Sequence, residues 1–230
     1  MLYEIYGGRM AIKYVLFDFD GTLIDSNEAV ISSLNHVAVD YRGYAFEPHE
    51  LEEVLGKPIV DQMSFLSVED SPRLVEMYRV EYRRVQDALT KIYDGVVELL
   101  TAIKERGIQT AVVSNKGRNG INHGIEQFDL HDLIGATISL DDVVIPKPNR
   151  EGVLTALTKL GVSHEEMAVA LKESLFVGDS GHDIETAKNA GCQSVLVGWT
   201  LLNRERLIEL MPDYIIESPE ELLKVIDQIQ

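Results

Sequence analysis

Asp18 and Asp20 are the residues whose types and spacing first suggest chemistry. They close the run YVLFDFDGT two positions apart, and in an extended backbone such positions project to the same side. Two like charges that close resist ionising unless a cation compensates them, and a divalent metal with oxygen ligands does so compactly. Gly21 then permits a sharp turn, and Thr22 adds a hydroxyl beside the acids. An acidic turn after a strand is the plainer reading of a bare Asp-x-Asp, so the rest of the chain must decide. Ser114 and Asn115 follow one apolar run, Lys147 lies in IPKPN, and Asp179 follows another apolar run and Gly178, with Asp183 four residues on. Singly, Ser114 reads as a helix cap and Lys147 as a solvated loop residue. Jointly they suit a phosphate ester: a carboxylate to attack phosphorus, a hydroxyl and an ammonium to hold its oxygens, and further carboxylates to bind a metal.

These groups must be positioned by regular elements. Val15–Phe17 reads as a strand buried on both faces. After Asp94–Gly95 the pattern alternates. A helix through Val96, Leu99, Leu100 and Ile103 ends at Gly107, and strands are expected at Ile108–Val113, Ala136–Leu140, Leu175–Gly178, Ser194–Gly198 and Tyr214–Ile216. Helices are expected at Gly152–Leu160 and Ile184–Ala190. Such alternation implies a parallel sheet wrapped by helices, with the ligand site beyond the carboxyl ends of the strands where strand order reverses. Between the first strand and this repeat the chain reads as helical from Asn27, the expected cap, to Ile92. One helix opens at Pro48, and a longer one from Pro72 carries Tyr78, Tyr82, Val85, Leu89 and Ile92. That is too much helix for a simple crossover. The expected class is therefore α/β, a Rossmann-like parallel sheet core (10–25 and 93–230) with an inserted α-helical cap domain (26–92). Residues 1–9 break the pattern and read as an N-terminal extension before a start at Met10.

With 38 acidic and 21 basic residues among 230, the net charge of −17 disfavours nucleic acid and anionic membranes as partners. An anionic substrate would need local positive charge, for which Lys147 is one source. Cys192 is the lone cysteine, so no internal disulfide can form, which predicts a cytoplasmic setting. No apolar run approaches the roughly 20 residues of a membrane span, and no signal peptide is legible at the start. The histidines show no metal-binding spacing.

Taken in order, DFDGT at 18–22, Ser114 with Asn115 and Lys116, Lys147 in KPN, and GDSGHD at 178–183 followed by AKNAG resemble the motifs of haloacid-dehalogenase-superfamily phosphatases. The resemblance is to the subgroup with a helical cap between the first and second motifs, phosphoglycolate-phosphatase-like or pyrophosphatase-like. It implies that Asp18 is the nucleophile, forming an aspartyl-phosphate, and that Asp20 is the acid–base residue. It implies Mg²⁺ held by the Asp18 carboxylate, the Asp20 backbone carbonyl, Asp179 and Asp183, and phosphate gripped by Ser114, Lys147 and backbone amides such as that of Asn115. Lys57, between two cap helices, is the candidate for substrate specificity. The implied partner is a small phosphorylated metabolite, the enzyme being a monomer or homodimer whose cap hinges near Leu23–Ser26 and Tyr93–Gly95. A β-phosphoglucomutase-like transferase is the alternative, although Val30 stands where those relatives carry histidine. A phospho-accepting module without catalysis is another, but such modules lack both the second acid and a cap. The stretch 161–176 is longer than the resemblance requires, with the surplus near Met167–Lys172 expected to extend an outer helix.

Overall fold

Three successive apolar residues, Val15, Leu16 and Phe17, can be covered only if both sides of their strand are packed, and the computed structural model, which describes residues 11–229, places β1 (Tyr14–Phe17) at the centre of a sheet. All three are at most 1% exposed. A turn and the two-residue β2 (Ile24–Asp25) follow. Four helices come next: α1 (Asn27–Arg42), α2 (Pro48–Val54), α3 (Ile59–Leu66) and α4 (Ser71–Leu89). The chain returns through β3 (Lys91–Ile92), antiparallel to β2, with Asp25 opposite Lys91 and Ile24 opposite Ile92.

The remainder alternates: α5 (Val96–Glu105), β4 (Gln109–Val113), α6 (Arg118–Gln127), β5 (Ala136–Ile138), α7 (Glu151–Lys159), α8 (Met167–Lys172) and β6 (Ser174–Gly178). It closes with α9 (Gly181–Ala190), β7 (Gln193–Val197), α10 (Arg204–Glu209), β8 (Tyr214–Ile216) and α11 (Glu221–Ile229). Six strands form one parallel sheet in the order β5-β4-β1-β6-β7-β8. The order reverses at β1, so β4 and β6 end on either side of Asp18. Side chains alternate between the faces. Val15, Phe17, Val112 and Val177 pack with α5, α6 and α11, while Leu16, Ala111, Val113 and Phe176 pack with α7, α8 and α9. The helical insert has its own core, in which Leu34 and Val37 of α1 meet Met63 of α3 and Leu74 of α4.

Several details depart from the sequence expectations. Ser26, not Asn27, is the residue before α1, and Asn27 is held by Asp25, whose Oδ1 accepts from its backbone N–H at 3.2 Å and its side-chain amide at 3.0 Å. Ile92 is not on the long helix, because Thr90 is already extended and Ile92 pairs with Ile24. The strand expected at Ala136–Leu140 ends at Ile138, where Ser139 accepts from the Asp141 N–H and starts a 3₁₀ turn. Met167–Lys172 is a separate helix, and Ala170 enters the core beneath it. The extension at 1–9 and the start at Met10 lie outside the described residues. Among the described residues no helix is long and apolar enough to cross a membrane.

Candidate active site

The carboxyl end of β1 sets the base of the site. The Asp18 N–H still donates to the Val177 carbonyl of β6 at 2.8 Å, so the ladder fixes its backbone. The chain then turns at once, with Leu23 and Ile24 N–H donating to the Phe19 carbonyl at 3.0 and 3.1 Å. Gly21 makes the turn at φ +74°, and a Cβ there would lie 2.3 Å from Asp179 Oδ2. Glycine therefore permits the loop after β1 to rest on the carboxylate that ends β6. Gly178 serves Asp183 similarly, since a Cβ at 178 would stand 2.3 Å from its Cβ.

Asp18, Asp179 and Asp183 are thereby gathered so that one oxygen of each lies within 4.8 Å of the others. Lys147 reaches into this group from the loop after β5. Its Nζ is 2.6 Å from Asp183 Oδ1 and 2.9 Å from Asp18 Oδ1. The second contact is an ion pair by distance, but its direction is not that of a hydrogen bond, and Asp18 Oδ1 is buried with no aligned donor. Burial pushes the Asp18 carboxyl up to about 6, assisted by Asp183 and opposed by Lys147 and the Ser114 hydroxyl. Asp179 keeps some solvent contact yet is enclosed by protein, and burial, then Asp183 and Asp18, push it well above the carboxylate range. Burial alone would lower Lys147, but Asp18 and Asp183 raise it above the usual lysine value.

Three carboxyl groups gathered around one ammonium would carry an excess of negative charge in a nearly closed space if all were ionised. A divalent cation with oxygen ligands would neutralise that excess and would supply the missing partner of Asp18 Oδ1, so the residues present fit such an ion. Asp183 is the least available of the three, because its Oδ2 accepts from the Ser180 N–H at 2.9 Å and hydroxyl at 2.6 Å, capping α9. Ser114 is buried at the end of β4, facing the same space. Asn115 is placed there too, but its side chain braces Lys147: Oδ1 accepts from the Lys147 N–H at 2.9 Å, and Nδ2 donates to the Lys147 carbonyl at 3.3 Å. What Asn115 can offer a ligand is its backbone.

The helical insert lies over these strand ends and encloses a cavity of about 730 Å³ with Asp18, Asp20 and Asp179 at its base. Lys57, half-buried before α3, lines it. Asp20 points into the cavity and is held from two sides. Ser26 Oγ donates to its Oδ1 at 2.5 Å, and Lys116 Nζ donates to Oδ1 at 2.8 Å and Oδ2 at 3.0 Å.

Two parts of this arrangement were missed by residue-level reasoning. Lys116 carried no assigned role, although its place two residues after Ser114 at a strand end was a usable signal. Tyr78 and Tyr82 pack within the helical insert as their spacing suggests, Tyr82 with Ala29 and Val85, and their rings stack at 5.7 Å; what the spacing does not show is that both also face the cavity and that the Tyr82 hydroxyl accepts from Lys116 at 2.7 Å. A second, smaller recess beside His182 and Arg206 does not reach Asp18 or Asp20.

Comparison with known proteins agrees with this geometry. The family profile described as haloacid dehalogenase-like hydrolase matches residues 15–197. A protein called pyrophosphatase PpaX from Bacillus velezensis is 33% identical over 214 residues, 93% of this chain and 96% of its own. Its namesake from Halalkalibacterium halodurans is 34% identical over 217 residues, 94% of this chain and 98% of its own. A crystal structure of a haloacid dehalogenase-like hydrolase from Bacteroides fragilis superposes with a TM-score of 0.82 at 25% identity, over 92% of this chain and 99% of that one.

Proposed function

Because the chain belongs to the haloacid dehalogenase-like hydrolases and is a phosphoric ester hydrolase among them, we propose that it is a Mg²⁺-dependent phosphatase of a small phosphorylated metabolite, with inorganic pyrophosphate the favoured substrate. The observation carrying this reading is the division of charge in the cavity. Carboxylates that fit a cation form the base, while Lys57, Arg79, Arg83 and Arg118, beside Glu76 and Asp141, stand on the walls of a protein whose net charge is −17. Arg79 and Arg118 are paired with Glu76 and Asp142, whereas Lys57 and Arg83 have no carboxylate partner among the described residues. A leaving group that is itself a phosphate would need such charges; a neutral alcohol would not.

Asp18 is assigned as the nucleophile. Its free carboxylate oxygen attacks phosphorus, the bond from phosphorus to the leaving oxygen breaks, and Asp20 gives that oxygen its proton. Asp20 then takes a proton from water as the water attacks the aspartyl-phosphate, releasing inorganic phosphate and restoring the Asp18 carboxylate and the protonated Asp20. Acid–base assistance of this kind contributes roughly 10²–10⁴ in rate. The Ser114 hydroxyl, the Lys147 ammonium and the amides near Phe19, Gly21 and Asn115 hold the three oxygens that travel with the phosphorus. Mg²⁺ held by Asp18, Asp179, the Asp20 carbonyl and Asp183 would neutralise charge on the phosphoryl group.

Helices α1–α4, residues 26–92, act as a cap that excludes bulk water when seated, with the β2–β3 ribbon and Tyr93–Gly95 as the hinge. Lys57 contributes to substrate choice. A mutase reading is set aside because Val30, on the cavity wall, offers no group for proton transfer. We place the enzyme in the cytoplasm as a monomer or homodimer. The test is phosphate release from pyrophosphate, phosphoglycolate, sugar phosphates and p-nitrophenyl phosphate, with Mg²⁺ and with chelator, beside Asp18→Asn. Mg²⁺-dependent release that peaks with pyrophosphate and vanishes in the variant is expected. Release from no ester by folded, Mg²⁺-supplied protein would sink the phosphatase reading, and preference for an uncharged leaving group would sink the choice of pyrophosphate.

A further inference from the structure

Lys116 is the cation nearest Asp20, yet it is poorly placed to serve a substrate. An ammonium has three donors. All three are engaged inside the protein, by Asp20 Oδ1 and Oδ2 at 2.8 and 3.0 Å and by the Tyr82 hydroxyl at 2.7 Å. Its stem runs along the first turn of α6 over Gly120, where a Cβ would lie 2.7 Å from Lys116 Cε. The Lys116 side chain is 13% exposed, and Nζ sits 4.5 Å from the centroid of the Tyr82 ring, which is stacked on Tyr78. Asp20 belongs to the core, Lys116 to the turn after β4 and Tyr82 to α4 of the insert, so one ammonium joins the acid to the helices that cover it.

We infer that Lys116 is a positioning residue that aims the Asp20 carboxylate, and that its bond to Tyr82 makes this aim depend on α4 being seated over the strand ends. This rests on the phosphatase reading above. Arginine is a poor substitute, because its broader planar head does not match three acceptors arranged around one nitrogen. Loss of Tyr82's hydroxyl frees one donor and lets the ammonium turn away from Asp20.

The two half-reactions separate this role from a merely structural one. p-Nitrophenolate leaves without a proton, so attack by Asp18 on p-nitrophenyl phosphate does not need Asp20, whereas hydrolysis of the aspartyl-phosphate does. In Lys116→Met, rapid mixing with p-nitrophenyl phosphate and Mg²⁺ should give a burst of one nitrophenol per site. Steady turnover should then fall about 10²-fold, within the range acid–base groups supply. Acid-quenched variant protein should carry a phosphoryl group by mass spectrometry. Tyr82→Phe, which keeps the ring, should show the same pattern with a smaller loss of about 5-fold, as for one hydrogen bond. Turnover within twofold of wild type in Lys116→Met would overturn the inference. So would equal loss of burst and steady rate in either variant with unchanged thermal unfolding. Wild-type protein that releases no nitrophenol would instead overturn the phosphatase reading, and this inference with it.

Discussion

Replacing Asp18 by asparagine should destroy turnover and yet stabilise the metal-free protein. The reason is the position of this carboxyl, raised from 3.8 to about 6, chiefly by burial. A group whose folded value exceeds its unfolded one binds more protons when folded, so its contribution to stability falls as pH rises between the two values. Below about pH 4 nothing is lost. Above pH 6 a shift of about two units corresponds to a penalty of about 3 kcal/mol, the cost of ionising Asp18 in place. Asparagine never ionises, so it escapes that penalty, and Lys147 is not orphaned because Asp183 remains 2.6 Å from its Nζ. The new amide must still find an acceptor, which offsets about 1–2 kcal/mol of the gain. The expected net stabilisation is about 1–2 kcal/mol at pH 7.5, or about 3–6 °C for a chain of this size. Urea denaturation in chelator at pH 7.5 and pH 4.5 measures it, with the advantage of the variant shrinking at the lower pH. Saturating Mg²⁺ should reverse the order, since wild type gains binding energy that the variant lacks. A variant less stable than wild type in chelator at pH 7.5, or an advantage indifferent to pH, would refute the reasoning.

Three further outcomes are expected. Gly21→Ala places a methyl 2.3 Å from Asp179 Oδ2 at φ +74°, so it should cost about 1–3 kcal/mol and weaken Mg²⁺ binding by calorimetry; unchanged binding would contradict the close-approach argument. Lys147→Met leaves Asp18 and Asp183 buried without their cation and should lower kcat at least about 10²-fold, with destabilisation of about 3–5 kcal/mol that Mg²⁺ partly restores; full activity would remove Lys147 from the phosphate site. Arg83→Ala should raise KM for pyrophosphate about 5-fold while leaving p-nitrophenyl phosphate unaffected; equal effects on both would deny the wall its role in holding an anionic leaving group.

The sheet was legible because its signals are local and redundant. Val15–Phe17 needs cover on both faces, and the later strands are short apolar runs ended by polar residues or glycine. The carboxylate cluster was legible for a related reason: a parallel sheet brings its strand ends together, so Asp18, Ser114 and Asp179 could be placed near one another without knowing any contact. What stayed hidden depends on pairs remote in sequence. Nothing near Tyr82 announces that its hydroxyl will meet an ammonium 34 positions away. Strands of two residues, as at Ile24–Asp25 and Lys91–Ile92, are too short to carry a pattern and arise only because the chain leaves and re-enters the core at one place. Ser26 likewise carries no signal in the sequence for its contact, and only the fold shows its hydroxyl turned to Asp20.

That single place of exit and return has an evolutionary consequence. Asp25 and Lys91 face each other across the ribbon, so the core experiences everything between them as one closed loop, whatever its length or content. Such an insert is a cassette. Its helices can be exchanged, lengthened or redecorated without altering the register of any core strand, while Asp18, Asp20, Asp179 and Asp183 remain encoded outside it. On the phosphatase reading, selection can revise which molecule is admitted so long as Ser26 and Tyr82, which hold Asp20 and Lys116, are kept, and a graft of residues 26–90 from a relative of different preference, with those two positions retained, is the laboratory counterpart of that history.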